Sequence, residues 1–488
     1  MKLTDLLENI EYECVQGTLT CEITEVIYDS RRKTGKSSLF VCIEGAVYDG
    51  HEFAPQVVEQ GVKVLVVSRD ISEVMGKDVT IIKVADTRYA LAFISAAYFG
   101  HPAEKLRVIG ITGTKGKTTT TYMVKSILEN AGYKVGLVGT VEVIIGKQHI
   151  AAGNTTPESY LLQEYFAQMV EAGLDTVVME ASSQAFKLHR TQGFVFDLGI
   201  FTNLEPDHIG PNEHESFEEY MACKGMLFKQ CKVGIVNGDD VHCEQVIKGH
   251  TCRIERYGIG DHVDLRAEDL RLVREGGSLG VAFTVSGLMD FEVEVPTPGR
   301  FSVYNSLAAI AICRNFRVRE DDIKRALLAV KVKGRVERAA VSDRFTVLID
   351  YAHNAMALES LLKTLKEYEP NRLICLFGCG GNRSKMRRYE MGEISGHLAD
   401  LTIITSDNPR FEEPQAIIED IKTGIQRTDG KFVEICDRKE AIAYAIENGE
   451  EGDIIVLAGK GHEDYQEIKG EKYPMDERLL IREILAGT

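Results

Sequence analysis

The sequence predicts a multidomain α/β protein in which parallel sheets are flanked by helices. Three observations support this fold class. The chain has 488 residues, more than one hydrophobic core usually supports, which suggests about three domains. Short apolar runs recur with helical patterns between them, as parallel strands with crossover helices require. A glycine-rich turn joins one apolar run to a helix, which is typical of a βα unit.

The first region, residues 1–105, has a mixed pattern. Apolar runs at 38–43 and 62–67 indicate strands, and residues 87–99 indicate a helix. His101-Pro102 follows that helix and ends it. We therefore expect a separate amino-terminal domain that ends near residue 105.

The second region, residues 106–332, opens with the strand-like LRVIGIT and continues through the glycine-rich turn into the helix-like TTTTYMVKSILENAGY. Four further apolar runs predict strands at 134–140, 175–182, 196–203 and 233–239. The region is predicted to form a central parallel sheet of the P-loop ATPase type. Chemistry should collect at the carboxyl ends of its strands.

The third region, residues 333–488, begins near Lys333-Gly334-Arg335 and alternates again. Its predicted strands are FTVLID, RLICLFG, DLTIITSD, KFVEIC and DIIVLAG, with helices between them, two of which begin near Pro414 and Arg438. This pattern predicts a second doubly wound, Rossmann-like domain.

Composition narrows the class of protein. The 57 basic and 74 acidic residues give a net charge of −17, which disfavours nucleic acid and anionic membranes as partners. No apolar stretch approaches the roughly 20 residues that span a bilayer, and the first residues lack the pattern of a secretory signal. Eleven cysteines without a CxxC pair favour reduced thiols. We expect a cytoplasmic enzyme without membrane insertion.

The glycine-rich turn is the strongest local signal. Backbone N–H groups and a helix N-terminus converge there, as phosphate binding requires, and Lys117 can reach the β- and γ-phosphates while Thr118 offers a hydroxyl to Mg²⁺. The predicted ATP contacts of this loop are Gly113, Thr114, Lys115, Gly116, Lys117, Thr118 and Thr119. The alternative is a turn that only joins strand to helix.

Two other nucleotide folds fit less well. A simple P-loop would place glycine at 111, where this chain has Ile111, and its glycine stands at 110 instead. GCGGNR at 378–383 follows a predicted strand but lacks the GxGxxG spacing of a dinucleotide fingerprint. An oxidoreductase is therefore disfavoured.

The loop GITGTKGKTTT resembles the nucleotide loop of the Mur ligases and of their folylpolyglutamate synthetase relatives. Further motifs of that family follow in its order: NTTP at 154–157, MEASS at 179–183, FTNLEPDH at 201–208, YMACKGMLF at 220–228, YNSLAA at 304–309, GRVE at 334–337, DYAH at 350–353 and FGCGGNR at 377–383. The resemblance runs essentially from end to end. It implies three domains, for uridine-nucleotide binding (1–105), ATP hydrolysis (106–332) and amino-acid binding (333–488).

The resemblance implies that ATP phosphorylates a carboxylate, that an amine attacks the acyl phosphate, and that Mg²⁺ is required. The catalytic set would be Lys117, Glu180, His208 and Lys224. Glu180 and His208 follow predicted strands and would bind Mg²⁺ with Thr118. Lys224 would be carbamylated, which turns an ammonium into a hard oxygen ligand for a second Mg²⁺. The alternatives are structural roles for Glu180 and His208 and a surface lysine at 224.

Other contacts also follow from the resemblance. ATP would meet Asn305, Arg335 and Asp350, the last supplied by a carboxy-terminal domain that closes on the nucleotide; for Asp350, a strand-end cap is the alternative. The UDP-sugar dipeptide would meet Ser30, Asn154, Thr155, Thr156, Ser182 and Arg190, since hydroxyls and arginine suit diphosphate and carboxylate.

Two features resemble the tripeptide-forming members of the family. These are YDSR at 28–31 with YDGHEF at 48–53, and DNPR at 407–410 with GKGHED at 459–464. Arg410 suits the distal carboxylate that meso-diaminopimelate has and lysine lacks. The implied amino-acid pocket comprises Arg388, Asp407, Asn408, Pro409, Arg410, Gly459 and Glu463.

The predicted reaction joins meso-diaminopimelate to the D-glutamate of UDP-N-acetylmuramoyl-L-alanyl-D-glutamate, and we expect a monomer. A lysine-adding ligase, a folylpolyglutamate synthetase-like ligase and a non-catalytic nucleotide-binding module are the alternatives. Two positions depart from the family pattern. Leu188 stands where glutamine is frequent, and Asn354-Ala355 replaces Thr-Pro after DYAH.

Overall fold

The computed structural model describes residues 1–487 except 33, 34, 36, 46, 47, 211, 212 and 276. Contacts within the chain divide it into two compact units. The first contains Met1–Asp264 and Ala308–Arg319, and the second contains Leu265–Leu307 and Glu320–Thr488. Each unit is described by itself below.

The amino-terminal part of the first unit is a five-stranded sheet with the order β1-β5-β4-β3-β2. Four strands are parallel, and β1 pairs with β5 in the antiparallel direction. Its elements are α1 Leu3–Leu6, β1 Glu13–Gln16, β2 Glu25–Ile27, β3 Ser38–Val41, α2 Ala54–Glu59, β4 Val64–Val67, β5 Thr80–Lys83 and α3 Thr87–Tyr98. Asp86 caps α3 by accepting hydrogen bonds from the backbone N–H groups of Arg88 and Tyr89.

A larger sheet forms the rest of the first unit. Its elements are β6 Arg107–Thr112, α4 Lys117–Asn130, β7 Val135–Val138, β8 Glu142–Ile145, β9 Gln148–Ala151, α5 Ser159–Glu171, β10 Thr176–Glu180, α6 Ser183–Lys187, β11 Phe196–Phe201, α7 Phe217–Gly225, β12 Cys231–Asn237, α8 Cys243–Val246 and β13 Arg253–Gly258. Within the unit the strand order is β9-β8-β7-β10-β6-β11-β12-β13. Strands β7, β10, β6, β11, β12 and β13 are parallel, so their carboxyl ends share one edge.

The second unit contains an antiparallel meander and a mostly parallel sheet. The meander is β14 Leu265–Glu275, β15 Ser278–Gly287 and β16 Phe291–Val295. Helix α9, Arg300–Arg314, has residues in both units, and α10 is Glu320–Ala329.

The sheet of the second unit has the order β17-β18-β22-β19-β20-β21, and only β17 runs antiparallel to its neighbour. Its elements, with a final hairpin and helix, are β17 Glu337–Ala339, β18 Thr346–Asp350, α11 Ala355–Lys366, β19 Leu373–Phe377, α12 Lys385–Leu398, β20 Leu401–Ile404, α13 Pro414–Ile425, β21 Phe432–Glu434, α14 Arg438–Glu447, β22 Ile454–Ala458, β23 Tyr465–Ile468, β24 Glu471–Pro474 and α15 Glu477–Ala486.

The predicted α/β fold class is confirmed, including a central parallel sheet and a second doubly wound sheet. The buried strands are nearly continuous apolar runs because helices cover both faces of each parallel sheet. The meander β14–β16 and the hairpin β8–β9 were not predicted. Among the described residues, every helix is too short or too polar to pass through a bilayer.

Candidate functional site

The turn between β6 and α4 forms a cradle of backbone groups. Gly116 caps α4 with a φ of 86°, a left-handed conformation that favours glycine. A Cβ on Gly113 would lie 1.9 Å from Thr202 Oγ1, so only glycine fits there. Asn203 fixes the turn from β11, because its Oδ1 accepts from the Lys115 N–H at 2.8 Å and its Nδ2 donates to the Lys115 carbonyl at 3.1 Å.

Two lysines donate to the same backbone oxygen in this cradle. Lys117 Nζ lies 2.8 Å from the Gly113 carbonyl oxygen, and Lys224 Nζ lies 2.9 Å from it. Lys117 also donates to the Thr114 carbonyl at 3.1 Å. The Lys117 ammonium and the backbone N–H groups at the start of α4 make a locally positive pocket in a chain of net charge −17. Such a pocket suits an anion with several oxygens.

Lys224 lies on α7 and is almost fully buried, with 2% of its surface exposed. Its Nζ lies 4.3 Å from the ring centroid of Tyr220, another residue of α7. Burial is the main cause that holds the pKa of Lys224 well below its ordinary value, and the charge of Lys117 adds to the effect. The geometry therefore favours a neutral, nucleophilic amine at this position.

Glu180 ends β10 and is the most connected carboxylate of this edge. Its Oε1 accepts from Thr118 Oγ1 at 3.0 Å and from the Thr140 N–H at 2.9 Å, and its Oε2 accepts from Thr140 Oγ1 at 3.0 Å. A carboxylate and a hydroxyl 3.0 Å apart are hard oxygen donors of the kind that Mg²⁺ prefers. These two side chains fit the predicted magnesium site.

His208 lies in the loop after β11 and is about half exposed. Its φ is 54°, and its Nδ1 lies 3.2 Å from Glu213 Oε1. The ring centroid of His208 lies 6.1 Å from that of Tyr220, which hydrogen-bonds Thr114 of the phosphate loop at 3.0 Å. The structure therefore places His208 near the loop, but on an exposed segment without a contact to Glu180.

Three of the predicted UDP-sugar residues, Thr155, Thr156 and Ser182, lie close to Glu180. Thr155 Oγ1 lies 3.0 Å from Thr140 Oγ1, which itself donates to Glu180. Thr156 Oγ1 donates to the Glu180 carbonyl at 2.8 Å and accepts from the Ser182 N–H at 3.0 Å. Asn154 is exposed beside them, and Ser30 lies half-buried in the turn after β2. The structure thus brings Thr155, Thr156 and Ser182 together, whereas Ser30 lies in a turn of the amino-terminal sheet.

Arg190 belongs to an ionic cluster that also involves the amino-terminal region. Its Nη1 donates to the Thr156 carbonyl at 3.1 Å, and its Nε lies 3.5 Å from Glu158. Arg88, from α3, pairs with the same Glu158 at 2.8 Å and donates to the Glu44 carbonyl. Leu188, the departure two residues before Arg190, is the half-buried C-cap of α6. Arg88 and Glu158 were not predicted from the sequence.

The three remaining predicted ATP residues lie in the second unit. Asn305 is buried within α9. Asp350 ends β18, and its carboxylate accepts from the backbone N–H groups of Val336 and Ala352, each at 2.8 Å. Burial raises the pKa of Asp350, and the nearby Arg335 opposes this shift. The Arg335 guanidinium lies 5.0 Å from the Tyr351 ring centroid. Asp350 thus fixes the backbone beside Arg335.

The DNPR segment follows β20 and is held by a buried network. Lys460 is fully buried and donates to Asn408 Oδ1 at 2.9 Å and to Glu463 Oε2 at 2.8 Å. Asn408 Nδ2 donates to the same oxygen of Glu463 at 2.9 Å. Gly459 has a φ of 108° and lies against Asp407, where a Cβ would approach Oδ2 to 3.0 Å. Lys460 was not predicted, although it stands inside the quoted GKGHED.

Arg410 has a left-handed φ of 52° that turns its backbone toward β23. Its N–H donates to the Glu467 carbonyl at 2.9 Å, its Nε lies 3.1 Å from Glu467 Oε2, and its Nη1 donates to the Gly381 carbonyl at 2.8 Å. Pro409 packs behind, since a Cβ on Gly381 would lie 1.9 Å from its carbonyl oxygen. Arg410 is therefore oriented, partly exposed and already paired with a carboxylate.

Arg388 differs from the other predicted members of this pocket. It has 1% exposure, and its guanidinium pairs with Glu412 at 2.7 Å and Asp420 at 2.9 Å. The same pairing lowers the pKa of Glu412 to about 2. Two carboxylates already occupy this guanidinium, so it holds the segment after DNPR in place and does not face an open space. In the loop between β19 and α12, by contrast, the side chain of Arg383 is exposed.

A cavity of about 790 Å³ lies elsewhere in the first unit, at the amino-terminal edge of the large sheet. Its lining includes Arg107 at the start of β6, Asp175 before β10 and Gln163 of α5. None of the predicted site residues lines it. The predicted chemistry gathers at the opposite, carboxyl edge, where backbone N–H groups and charged side chains converge.

Comparison with known families assigns three successive segments. Residues 22–99 match the model described as "Mur ligase family, catalytic domain", residues 111–313 match "Mur ligase middle domain", and residues 334–461 match "Mur ligase, glutamate ligase domain".

Individual proteins match over the full length. A protein of Clostridium perfringens (strain 13 / Type A) named UDP-N-acetylmuramoyl-L-alanyl-D-glutamate–2,6-diaminopimelate ligase is 42% identical, with 100% of each chain covered. A protein of the same name from Caldanaerobacter subterraneus subsp. tengcongensis is 43% identical, also with 100% of each chain covered. A solved structure titled as that ligase has 26% identity and a TM-score of 0.72, covering 100% of this chain and 99% of its own.

Proposed function

This chain belongs to the Mur ligase family, whose members are ATP-dependent amide-bond ligases, and we propose that it joins meso-diaminopimelate to UDP-N-acetylmuramoyl-L-alanyl-D-glutamate. The acceptor carboxylate is that of the D-glutamate. The full-length identity of 42–43% to ligases of that name is the observation that carries the proposal. Such a reaction builds a peptidoglycan precursor. It consumes ATP and a nucleotide-linked sugar, so we assign it to the cytoplasm.

The phosphate loop performs the first step. Lys117 and the backbone N–H groups at the start of α4 neutralise the phosphates of ATP while its γ-phosphoryl group passes to the D-glutamate carboxylate. The products of this step are ADP and an acyl phosphate. Charge neutralisation is the main requirement, since two anions must approach each other.

Thr118, Glu180 and His208 would hold Mg²⁺ in this site, with a carbamate of Lys224 as a ligand of a second ion. Bound Mg²⁺ supplies charge that stabilises the transferring phosphoryl group. Lys224 suits carbamylation because its buried, neutral amine can attack CO₂, which forms an N–C bond and releases one proton. The 2.9 Å contact to Gly113 keeps that nitrogen beside the phosphate loop.

The amine of diaminopimelate attacks the acyl carbon in the second step, and inorganic phosphate leaves. Arg410 binds the distal carboxylate of the amino acid, and Glu463, with Asn408 and Lys460 behind it, accepts an ammonium group. We assign Arg388 to positioning this segment through Glu412 and Asp420. Asp407, Pro409 and Gly459 shape the same pocket. Asn305, Arg335 and Asp350 complete the ATP contacts.

We propose the domain division 1–105, 106–332 and 333–488, with the UDP-sugar bound by Ser30, Asn154, Thr155, Thr156, Ser182 and Arg190. The hydrogen bonds from Thr155 through Thr140 to Glu180 support this choice, because they connect the sugar residues to the magnesium ligands. We expect the protein to act as a monomer.

The decisive experiment offers the purified protein the UDP-linked dipeptide, ATP and Mg²⁺, with diaminopimelate or lysine added separately. Phosphate release that depends on diaminopimelate is the expected result. Release with lysine alone would support the lysine-adding alternative. Absence of release with both amino acids would contradict the proposed function.

A further inference from the structure

A compact cluster of three side chains of metal-ligating types lies on α7 and the loop before it, outside the set assigned above. His214, Glu219 and Cys223 each offer one ligand atom, and these atoms all lie within 4.8 Å of one another. Glu219 and Cys223 are four residues apart in α7, so they share one face of the helix. The cluster is separate from Thr118 and Glu180.

The ring nitrogens of His214 are the strongest indication that this cluster binds a metal. The side chain is fully buried, and its Nδ1 has no hydrogen-bond partner but lies 3.6 Å from Glu219 Oε2. Its other ring nitrogen, Nε2, lies 2.9 Å from Ser183 Oγ. When Nε2–H donates to Ser183, the lone pair of Nδ1 points at Glu219, as in histidines that bind metals while a second group holds the far nitrogen. A buried nitrogen without a partner is uncommon and requires an explanation.

We propose that His214 Nδ1, the Glu219 carboxylate and Cys223 Sγ bind a borderline divalent cation of the zinc type. Imidazole, carboxylate and thiolate are its usual ligands. Zinc-ligand bonds of about 2.0–2.3 Å place two tetrahedral ligands roughly 3.3–3.8 Å apart. The Nδ1–Oε2 separation of 3.6 Å already meets this requirement. Cys223 Sγ lies within 4.8 Å of both atoms and would move closer on metal binding. Water supplies the fourth ligand.

Binding of the dication would release one proton and neutralise the charge of the ion. The S–H bond of Cys223 breaks as the metal–sulfur bond forms, and its proton passes to solvent. One thiolate and one carboxylate then neutralise the dication. Glu219 also accepts from Lys187 at 2.9 Å and from the Glu215 N–H at 2.7 Å, so its carboxylate is already oriented. Mg²⁺ prefers oxygen ligands and does not compete for the thiolate.

The ion would fix the helix that carries Lys224, because Cys223 is the preceding residue. It would do so without contacting the phosphate loop. The backbone N–H of His214 also donates to the His208 carbonyl at 3.0 Å, so the ion would lie close to two of the proposed Mg²⁺ ligands, His208 and Lys224. Its test measures metal binding and cysteine protection, which can fail while ligase activity remains.

The test uses Co²⁺ as a spectroscopic substitute for zinc in the full-length protein, with Mg²⁺ present in excess. We expect one Co²⁺ per chain, a thiolate-to-cobalt charge-transfer band, release of about one proton per ion, and displacement by Zn²⁺. Cys223→Ser should abolish the band. Cys243→Ser, which alters another buried cysteine of the same core, should retain it.

Mass spectrometry after alkylation keeps the test decisive if Cys223→Ser does not fold. In the wild-type protein, Zn²⁺ should slow alkylation of Cys223 more than that of the other cysteines. Absence of a thiolate band in the wild-type protein, or protection confined to the exposed Cys14 or Cys436, would overturn the proposal.

Discussion

The phosphate loop and the DNPR segment both present basic side chains, but these side chains are held differently. Lys117 and Lys224 donate to neutral backbone carbonyls of the loop. Arg410 is instead paired with the Glu467 carboxylate. A carbonyl yields its donor to an incoming phosphate at small cost, whereas a carboxylate must be displaced. Under the proposed function, Arg410 must therefore exchange the Glu467 carboxylate for that of the amino acid.

We therefore expect the phosphate loop to contribute mainly to nucleotide affinity, and Arg410 to contribute mainly to selectivity between amino acids. Phosphate recognition by backbone and lysine depends little on which ligand carries the phosphates. Recognition through Arg410 favours an amino acid that brings its own carboxylate, because a ligand without one cannot replace Glu467. We therefore expect the DNPR segment, in which Arg410 already pairs with a carboxylate, to discriminate between diaminopimelate and lysine.

Of the substitutions considered, replacement of Lys117 should lower turnover most. Lys117→Met removes an ammonium group from the phosphate loop, so turnover should fall by about 10²–10³-fold, the usual loss for one stabilising donor. The measurement is phosphate release at saturating diaminopimelate. Lys134→Met, which alters an exposed lysine of the same unit, is the matched control. Equal losses in both variants would remove the phosphate role from Lys117.

Arg410→Ala should lower selectivity rather than nucleotide binding. Loss of a charge-assisted contact should reduce kcat/KM for diaminopimelate by about 10–100-fold, with the KM for ATP unchanged. Glu467→Gln should act in the opposite direction and lower the KM for diaminopimelate, because the arginine no longer has a charged partner to leave. Unchanged discrimination between diaminopimelate and lysine in Arg410→Ala would refute its role.

His462 provides a pH test within the second unit. Burial, together with Arg335 and Lys333, lowers its pKa from 6.5 to about 4. Between these values the unfolded chain binds a proton that the folded chain does not, so stability is complete above pH 6.5 and falls as the pH drops toward 4. The loss should be on the order of 2 kcal/mol.

Denaturant unfolding at pH 4.5 and 7 measures this effect. His462→Gln should reduce the stability difference between the two pH values relative to wild type. An identical difference in both proteins would show that other groups, such as Glu412 with its lowered pKa, account for the acid sensitivity.

The smallest effect is expected at Asn354. Its Oδ1 accepts from the Ala357 N–H at 2.9 Å and caps α11, so the departure from Thr-Pro preserves a capping side chain. Asn354→Ala should lower the free energy of unfolding by about 0.5–2 kcal/mol, and Asn354→Thr should restore most of it. Denaturant titration of both variants measures these changes in the free energy of unfolding. Wild-type stability in Asn354→Ala would mean that the cap contributes nothing.

The sequence by itself determined the α/β fold class, the family and the ligase reaction, and these predictions are confirmed. The fold class follows from local patterns because buried parallel strands are continuous apolar runs. The family and the reaction follow from the resemblance of many motifs that occur in the family's order. The assignments of individual site residues remain predictions.

Only the tertiary structure decided which side chains meet. It placed Thr140 between Glu180 and Thr155 and enclosed Arg388 between Glu412 and Asp420. It also buried Lys460 against Asn408 and placed His214 Nδ1 3.6 Å from Glu219. It also produced the meander β14–β16, whose pairing needs partners in other strands. These contacts join residues from different elements, and burial and pairing of that kind depend on packing rather than on sequence spacing.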